Sequence, residues 1–391
     1  MRIALLSLGI SLVAVGCAQP DGGDDSDDDA AFAAIPQMPH APACTGSIHC
    51  FAQVQTQSSQ IQAFAAPQGF GPSELIDAYH VKALGTAATI AVVDAYDYAN
   101  AESDLAKYRT QFGLPACTTA NGCFKRVNQS GKASPLPGKA PAGDDWTVEA
   151  ALDLDMASAA CPSCKLILVE AQDDEGDGLY LGNDGAATLS ATVVSNSWGG
   201  IEDGTESTLE THFNHAGVGY FASTGDSGFD NGGDGPQYPA TSAHVTAVGG
   251  TSLVVTANTR GYSEKAWADG GANCSTSIAR PSFQPKISQC AKRYNSDVSA
   301  VADPNTGVAV FNKGSGGWIV VGGTSASSPF VAGVMALYGL GAQGPGYAYA
   351  HATEYFDVHS GKDGTCGNVL CKAGVGWDGP TGIGTPNGHN L

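Results

Sequence analysis

Apolar and β-branched runs alternate along this chain with segments whose apolar residues recur at helical spacing. The order is helix 72–79, strand 89–93, helix 103–112, strand 124–127, helix 145–160, strand 165–169, helix 185–191, strand 193–198, helix 205–216 and strand 218–224. Strands separated by helices are typical of a mainly parallel sheet with helices on both faces. The predicted fold is therefore a doubly wound α/β domain, in which functional residues gather at the carboxyl ends of strands.

A further strand-like run at 318–321 leads into Gly-Gly-Thr-Ser-Ala-Ser-Ser-Pro at 322–329, and the apolar segment 330–340 follows. The helical spacing of that segment predicts a buried helix. Ser325 then lies on a strand-to-helix turn, and Pro329 lies in the first helical turn, where its missing N–H is tolerated. Free N–H groups at a helix start can stabilise an oxyanion, so Ser325 is a candidate nucleophile. The alternative is a Gly/Ser loop that only caps a core helix.

Composition narrows the class of protein. The 391 residues include 52 glycines, only 14% are charged, and the net charge is −20. This balance argues against binding to nucleic acid, because no basic stripe is available to neutralise phosphates. The length allows one large domain or two. Few charges with many small residues are typical of a compact exported enzyme.

The N-terminus is predicted to be an export signal covering residues 1–16. The apolar run after Arg2 is shorter than the roughly 20 residues that a membrane-spanning helix needs. It ends at Cys17 in a sequence that resembles a bacterial lipobox. We therefore expect contact with a membrane only through a lipid on Cys17. Ordinary cleavage nearby is the alternative, because Ala14 is less typical than leucine at its position.

Residues 17–69 are predicted to form a tether. Six aspartates within 21–29 repel one another, and the Gln/Ala/Pro-rich segment 53–71 shows no sustained period. The acidic run could instead bind calcium, although a solvated spacer is the commoner meaning of such a run.

Cysteine counting agrees with export. Removing Cys17 from the eleven cysteines leaves ten, and these fall in close pairs: Cys44/Cys50, Cys117/Cys123, Cys161/Cys164, Cys274/Cys290 and Cys366/Cys371. An exported chain with such spacing is expected to hold local disulfides, whose connectivity the sequence leaves open. A redox role for the pair at 161 and 164 is the less favoured alternative.

A base for Ser325 is offered by Glu149 and Asp153, because residues four apart share one helix face. Asp144 or Asp145 is predicted to cap that helix. None of the nine histidines stands in the His-Gly-Thr-His-like context of a subtilisin. The alternative for the carboxyl pair alone is a solvated acidic helix face.

Together with Ala-Ser-Thr-Gly-Asp-Ser-Gly at 222–228, these motifs resemble the sedolisins, or serine-carboxyl peptidases, which have a subtilisin-like fold and a Glu-Asp-Ser triad. The resemblance covers roughly 70–391. It implies that Glu149 takes the proton of Ser325, that Asp153 shares a proton with Glu149, and that a protonated Asp226 lines the oxyanion hole. Ser227 ranks below Ser325 as a nucleophile because it lacks a helix start.

The same resemblance implies a substrate-binding strand and a calcium site. The strand is Ser197, Trp198, Gly199 and Gly200, although Trp198 could equally be a core aromatic residue. One structural calcium ion is expected in a loop at about 356–386, held by Asp357, Val358, Gly374, Gly376 and Asp378. The alternative for this loop is a Gly/Asp turn cluster. The chain departs from the family in having a tether where a long folded prosegment is usual.

The sequence thus predicts an exported, monomeric, calcium-dependent serine-type endopeptidase that cleaves polypeptides at acidic pH, because a carboxylate is a better base in acid than at neutral pH. It is either attached to a cell surface or outer membrane through Cys17 or secreted. Two alternatives stay open. One is a catalytically idle, surface-displayed peptide-binding protein on the same fold, and the other is an exopeptidase whose cleft is closed by a loop.

Overall fold

A computed structural model of the protein describes residues 25–85 and 88–391. The predicted signal peptide and Cys17 lie outside the described residues. The α-helices in the described part are α1 Asp25–Ala33, α2 Pro72–Ala78, α3 Ala101–Gln111, α4 Trp146–Ala160, α5 Gly178–Thr188, α6 Glu206–Leu209, α7 Thr324–Leu337 and α8 Gly346–Ala350.

The strands begin with a group that precedes the second helix: β1 His40–Pro42, β2 Ile48–Cys50, β3 Gln53–Gln57 and β4 Gln60–Ile61. Those of the middle of the chain are β5 Thr89–Ala95, β6 Phe124–Asn128, β7 Lys165–Ala171, β8 Val193–Asn196, β9 Trp198–Ile201, β10 Gly219–Ser223 and β11 Gln237–Tyr238. The remaining strands are β12 Val245–Val255, β13 Tyr262–Ala266, β14 Cys274–Ala279, β15 Lys292–Tyr294, β16 Val298–Val301, β17 Val308–Asn312, β18 Gly317–Gly322, β19 Tyr355–Phe356 and β20 Thr385–Pro386.

The central sheet has the strand order β13-β12-β10-β8-β5-β7-β6, and β16 also pairs with β12. Every pairing in it is parallel except that of β12 with β13. The doubly wound α/β fold predicted from the sequence is confirmed. Such a sheet brings the carboxyl ends of β5, β8 and β10 to one edge.

Helices cover both faces of this sheet. The side chain of Val93 contacts Gly182 in α5, whereas the next residue, Asp94, lies close enough to Glu149 in α4 to raise the pKa of its carboxyl. Successive residues of a strand point to opposite faces, so α4 and α5 lie on opposite sides of β5.

The helices that carry the candidate catalytic residues, α4 and α7, are buried except at Thr147 and pack against each other. Gly333 of α7 faces Ala157 and Ala160 of α4, where a Cβ on the glycine would come within 2.6 Å of the Ala160 methyl. Small residues on both helices therefore allow a close approach, which fixes the position of Glu149 relative to Ser325.

The prediction of a tether from 17 to 69 is wrong for the residues that form the first four strands. The third strand lies between β1 and β18 in a second sheet of order β1-β3-β18-β17, with β4 paired to β3. Ala52 and Val54 are buried there. Polar Gln and Thr alternate with few apolar residues in this segment, so its strand pattern was weak, and its partner β18 lies more than 250 residues away. A helix, α1, also covers Asp25–Ala33, where a solvated spacer was expected.

Several other elements differ from the sequence prediction. Helix α5 ends at Thr188 rather than at residue 191 and begins at Gly178. Helix α7 begins at Thr324, so Pro329 lies inside it rather than in its first turn. Proline cannot donate to the carbonyl four residues earlier. That carbonyl, on Ser325, has the Ser197 hydroxyl 3.5 Å away.

All five close cysteine pairs predicted from their spacing are disulfide-bonded in the structure. Within the described residues, no helix combines the length and the apolar character needed to span a membrane.

Candidate active site

Ser325 is the second residue of α7 and is fully buried. The residue before the helix, Gly323, has a φ of 93°, a conformation that side chains other than glycine rarely adopt. The turn points the Ser325 hydroxyl at α4, where Oγ donates to Glu149 Oε2 over 2.9 Å. It also lies 3.1 Å from the carbonyl oxygen of Ser197. The predicted strand-to-helix position of Ser325 is what the structure has.

Glu149 and Asp153 lie on the same face of α4, and both are fully buried. The helix is capped by Asp145, whose carboxylate accepts from the Thr147 N–H. Asp153 Oδ1 accepts from the Ser197 hydroxyl over 2.6 Å. Asp153 Oδ2 and Glu149 Oε1 are enclosed and have no hydrogen-bond partner among the described residues, and the Glu149 carboxyl lies close enough to raise the pKa of Asp153. Their positions suit a proton shared between the two carboxyls.

Asp226 follows β10 and approaches the start of α7 from the opposite side. Its Oδ1 accepts two hydrogen bonds of 2.8 Å from Thr324, one from the backbone N–H and one from the hydroxyl. Its Oδ2 is enclosed without a partner in the described part of the chain. A Cβ on Gly323 would collide with that oxygen, so Asp226 lies directly beside the helix start. The structure thus brings Ser325, Glu149, Asp153 and Asp226 together.

Burial dominates the electrostatics of these acids. Burial raises the pKa of Glu149 and of Asp153 well above the usual range, and the Asp94 carboxyl raises both further. Burial also raises the pKa of Asp226 to about 7, against the lowering effect of its bonds from Thr324. Ionising all of these acids at once is therefore costly, so the group is expected to keep one or more protons in acid and to titrate as a unit.

Asp94 is a site residue that the sequence reasoning missed. It lies near the end of β5, it is buried, and neither of its carboxyl oxygens has a hydrogen-bond partner among the described residues. Burial and the nearby Glu170 raise its pKa well above the usual range. The sequence did offer one indication of Asp94: it is a single acidic residue near the C-terminal end of an apolar parallel strand, where functional residues gather.

The predicted substrate strand, Ser197 to Gly200, is buried at the edge of the cleft. Trp198 donates its indole N–H to the carbonyl of Val93, which ties its ring into the core. Gly199 and Gly200, by contrast, pair with the chain's own β2, and Phe51 and Ala52 follow that strand into the site. The N-terminal residues in the cleft were also missed, because they were assigned to a tether.

One disulfide borders the carboxyl of Glu149. A carboxyl oxygen of Glu149 and the sulfurs of Cys44 and Cys50 all lie within 4.8 Å of one another. Because the two sulfurs are bonded to each other, they do not offer thiolate ligands to a metal. The disulfide instead covers Glu149 with apolar surface and helps to exclude water from it.

The candidate calcium residues lie together in the C-terminal loops. Asp357 Oδ2 accepts from the Gly376 N–H over 2.8 Å, and Asp378 Oδ2 accepts from the Gly374 N–H over 2.9 Å. Asp357 Oδ1 is enclosed without a partner in the described residues. The pKa of Asp378 is raised to about 7, mainly by burial and in part by the Asp357 carboxyl. An enclosed, unpartnered oxygen beside a second carboxyl fits a hard cation such as calcium.

The family of the chain is decided by a comparison with family models. The model described as the subtilase family, Peptidase_S8, matches residues 142–342, which include Glu149, Asp226 and Ser325. The chain belongs to the subtilase family. Its resemblance to the serine-carboxyl peptidases within this fold is confirmed by the relatives that follow.

Two curated relatives are similar over most of this chain. Kumamolisin from Bacillus sp. (strain MN-32) is 31% identical over 366 residues, covering 84% of this chain and 64% of kumamolisin. Sedolisin from Pseudomonas sp. (strain 101) is 26% identical over 378 residues, covering 85% of this chain and 62% of sedolisin. The chain therefore spans a little under two thirds of the length of these two relatives.

A solved structure shows the same fold. Pseudomonas sedolisin, described as a serine-carboxyl proteinase complexed with pseudo-iodotyrostatin, superposes with a TM-score of 0.69 at 23% identity. The match covers 83% of this chain and 96% of that chain. The subtilisin-like architecture predicted from the sequence is thereby confirmed.

Proposed function

We propose that this protein is an exported serine-type endopeptidase that hydrolyses peptide bonds at acidic pH, with Ser325 as nucleophile and Glu149 as its base. The observation that carries the proposal is the buried 2.9 Å hydrogen bond from Ser325 Oγ to Glu149 Oε2. A serine hydroxyl becomes a useful nucleophile when a neighbouring base can take its proton. Here the neighbouring base is a carboxylate.

The roles of the four side chains follow from their contacts. Glu149 takes the proton of Ser325 as Oγ attacks the substrate carbonyl, and it then gives that proton to the leaving amine. Asp153 orients Glu149 and shares a proton with it, while the Ser197 hydroxyl fixes Asp153 from the other side. In the next step a water molecule attacks the acyl group, and Glu149 takes the proton of that water.

Asp226 is assigned to the oxyanion. Its Oδ1 is held by Thr324, so its free Oδ2 is the oxygen that faces the cleft. A carboxyl must be protonated to donate a hydrogen bond, and burial keeps Asp226 protonated up to a pKa of about 7. A donor placed where negative charge develops stabilises the transition state. This requirement is one physical reason to expect activity in acid.

Endopeptidase activity is favoured over exopeptidase activity by the shape of the cleft. The chain's own N-terminal residues occupy the cleft on both sides of residue 51. Before it, β2 pairs with β9, and after it, β3 pairs with β18. The upstream side holds Ile48, His49 and Cys50, which pair with Gly200, Gly199 and Trp198. A cleft that accommodates this much chain before the reacting position has no need of a free substrate N-terminus.

Calcium and export complete the proposal. Asp357, Val358, Gly374, Gly376 and Asp378 would hold one calcium ion, which stabilises the C-terminal loops through its charge and takes no part in the reaction. Five disulfides within the described residues are typical of an exported protein. The lipid anchor at Cys17, or secretion without it, stays a prediction, as does the monomeric state.

The test is digestion of a denatured protein at pH 4 by the wild type and two serine variants. Ser325→Ala is expected to lower the rate by about 1,000-fold or more, because removal of a nucleophile leaves only binding and oxyanion stabilisation. Ser227→Ala is the matched control, since Ser227 is exposed and is expected to keep wild-type activity. A Ser325→Ala protein that still digests the substrate would instead remove Ser325 from the mechanism, and an inactive wild type would favour the idle binding protein.

A further inference from the structure

Asp226 lies on an irregular turn, unlike the other three side chains of the proposed site, which are carried by α4 and α7. Residues 224–228, which include it, belong to neither a helix nor a strand. A group that stabilises an oxyanion must be held within about 0.5 Å of its productive position. The backbone of this turn therefore needs support from outside itself.

One such support is a loop near the C-terminus, residues 361–372, which we call the disulfide loop because a disulfide closes it. The N–H of Phe229, three residues after Asp226, donates to the Asp363 carbonyl oxygen over 2.8 Å. Asp363 is 134 residues further along the chain than Phe229. The turn is thus joined directly to the disulfide loop.

Two glycines let the turn and the disulfide loop approach each other closely. A Cβ on Gly228 would lie 2.7 Å from the Asp363 carbonyl oxygen, and Gly228 has a φ of 73°. A Cβ on Gly364 would lie 2.5 Å from the Cβ of Phe229. Both distances are too short for a real contact, so each side of this interface requires glycine.

The ring of Phe229 packs against a second hydrophobic core, which is smaller than the main one. Its buried members are Ala272, Cys290, Tyr294 and Leu370, and Cys274, Ile287, Cys366 and Trp377 pack around them. Two disulfides therefore belong to this core. The main core, by contrast, includes Leu152 of α4 and Val331 of α7. The serine and its base rest on one core, and the turn that carries Asp226 rests on the other.

The far side of the disulfide loop is fixed as well. The Gly379 N–H donates to the Val369 carbonyl oxygen over 2.8 Å. The Tyr294 hydroxyl donates to the Leu370 carbonyl oxygen. Because both donors lie outside the disulfide loop, the loop resists displacement of the turn rather than following it.

We propose that Phe229 and the disulfide loop are positioning elements for Asp226, and that they hold its carboxyl where the oxyanion forms. This rests on the proposed function. Their contribution is made through Asp226, and it is realised in the transition state, when the oxyanion carries its charge. A disturbed loop should therefore lower kcat and leave KM nearly unchanged.

The experiment measures kcat and KM at pH 4 with a peptide that the wild type cleaves. Gly364→Ala places a methyl group against Phe229, and Phe229→Ala removes the ring. Each should lower kcat by about 10- to 100-fold with KM within about 2-fold of the wild type. Phe229→Leu, which keeps a large apolar side chain, should restore kcat to within about 5-fold of the wild type. Gly138→Ala is the matched control, because its added methyl group meets no atom within 4 Å, and it should keep wild-type kcat.

A double-mutant cycle with Asp226→Ala separates positioning from a general loss of stability. In the Asp226→Ala protein, the further change Gly364→Ala should lower kcat by less than about 3-fold, because the group that it displaces is already absent. A purely structural defect would lower kcat by the same factor in both backgrounds.

Opening the disulfide loop gives a second route to the same result. The double variant Cys366→Ser, Cys371→Ser changes no residue of the turn and should also lower kcat by about 10-fold or more with KM nearly unchanged. The double variant Cys117→Ser, Cys123→Ser is its control, since that disulfide lies between α3 and β6. It should keep wild-type kcat.

The outcomes separate this proposal from the proposed function. A wild type that cleaves no peptide overturns both. An active wild type whose kcat is matched by the folded Gly364→Ala and Phe229→Ala variants overturns the positioning role and leaves the peptidase function standing. If those two variants do not fold, the opened disulfide loop decides in the same way. Equal losses of kcat with and without Asp226, or a raised KM at unchanged kcat, also overturn the positioning role.

Discussion

Ser325 and Glu149 are 176 residues apart in the chain, and their side chains meet in a buried hydrogen bond of 2.9 Å. Two close-packed helices hold this pair. Glu149 is the fourth residue of α4 and Ser325 the second of α7, and small residues let those helices approach each other. A nucleophile and a carboxylate enclosed together are expected to behave as an acid-active unit.

Stability is expected to be greatest in acid and to fall as the pH rises. A buried acid whose pKa is raised in the folded protein stabilises it fully below the unfolded pKa, about 4, and this contribution is lost as the pH rises through the folded pKa. Burial raises the pKa of Asp226 and of Glu170 to about 7. The unfolding midpoint should therefore drop between pH 5 and pH 8.

Asp155→Asn tests the cause of that drop. Burial raises the pKa of Asp155 well above its usual range, and its Oδ2 accepts from the Phe311 N–H, a bond that asparagine can keep. The variant should lose less stability between pH 5 and pH 8 than the wild type, because asparagine has no carboxyl to ionise. Each unit by which the folded pKa of an acid exceeds its unfolded pKa corresponds to about 1.4 kcal/mol of unfolding free energy. Glu175→Gln, at an exposed residue, is the control. Equal losses in both variants would contradict the role of buried acids.

Asp226→Asn should remove the alkaline limb of the pH–rate profile. The asparagine oxygen can accept from Thr324 as Oδ1 does now, which leaves its NH₂ group at the position of Oδ2. That donor does not titrate, so activity should persist above the pKa of about 7 that limits the wild type. Asp226→Ala should lose roughly 100- to 1,000-fold in kcat. An alkaline limb unchanged in the asparagine variant would exclude Asp226 as its origin.

Calcium removal should destabilise the fold. A ligand present at about 100 times its Kd stabilises a protein by about 2.7 kcal/mol, so a chelator should lower the unfolding midpoint of the wild type. Asp357→Asn should have a lower unfolding midpoint than the wild type, and the chelator should not change that midpoint. The reason is that Asp357 Oδ1 is the enclosed oxygen that lacks a partner among the described residues. Asp234→Asn, an exposed control, should respond to the chelator as the wild type does. A wild type indifferent to the chelator would contradict the calcium site.

The sequence predicted the parts of this site that depend on local pattern. Glu149 and Asp153 share a helix face because they are four residues apart, and Ser325 begins a helix because glycines precede an apolar run. Asp94 was missed because a single carboxyl in an apolar strand gives no spacing to interpret. Phe51 and Ala52 were missed for a different reason. Their segment gains its structure from β9 and β18, whose partnership with it no local pattern records.

The carboxylate base is tested most directly by kcat/KM as a function of pH for the wild type and Glu149→Gln, with a peptide that the wild type cleaves. Asp155→Asn, on the same helix but outside the cleft, is the matched control and should keep wild-type kcat/KM. The wild type should peak in acid, and Glu149→Gln should be slower by roughly 100- to 10,000-fold at every pH. A wild-type plateau at neutral or alkaline pH, or a Glu149→Gln enzyme as fast as the control, would contradict a carboxylate as the base of Ser325.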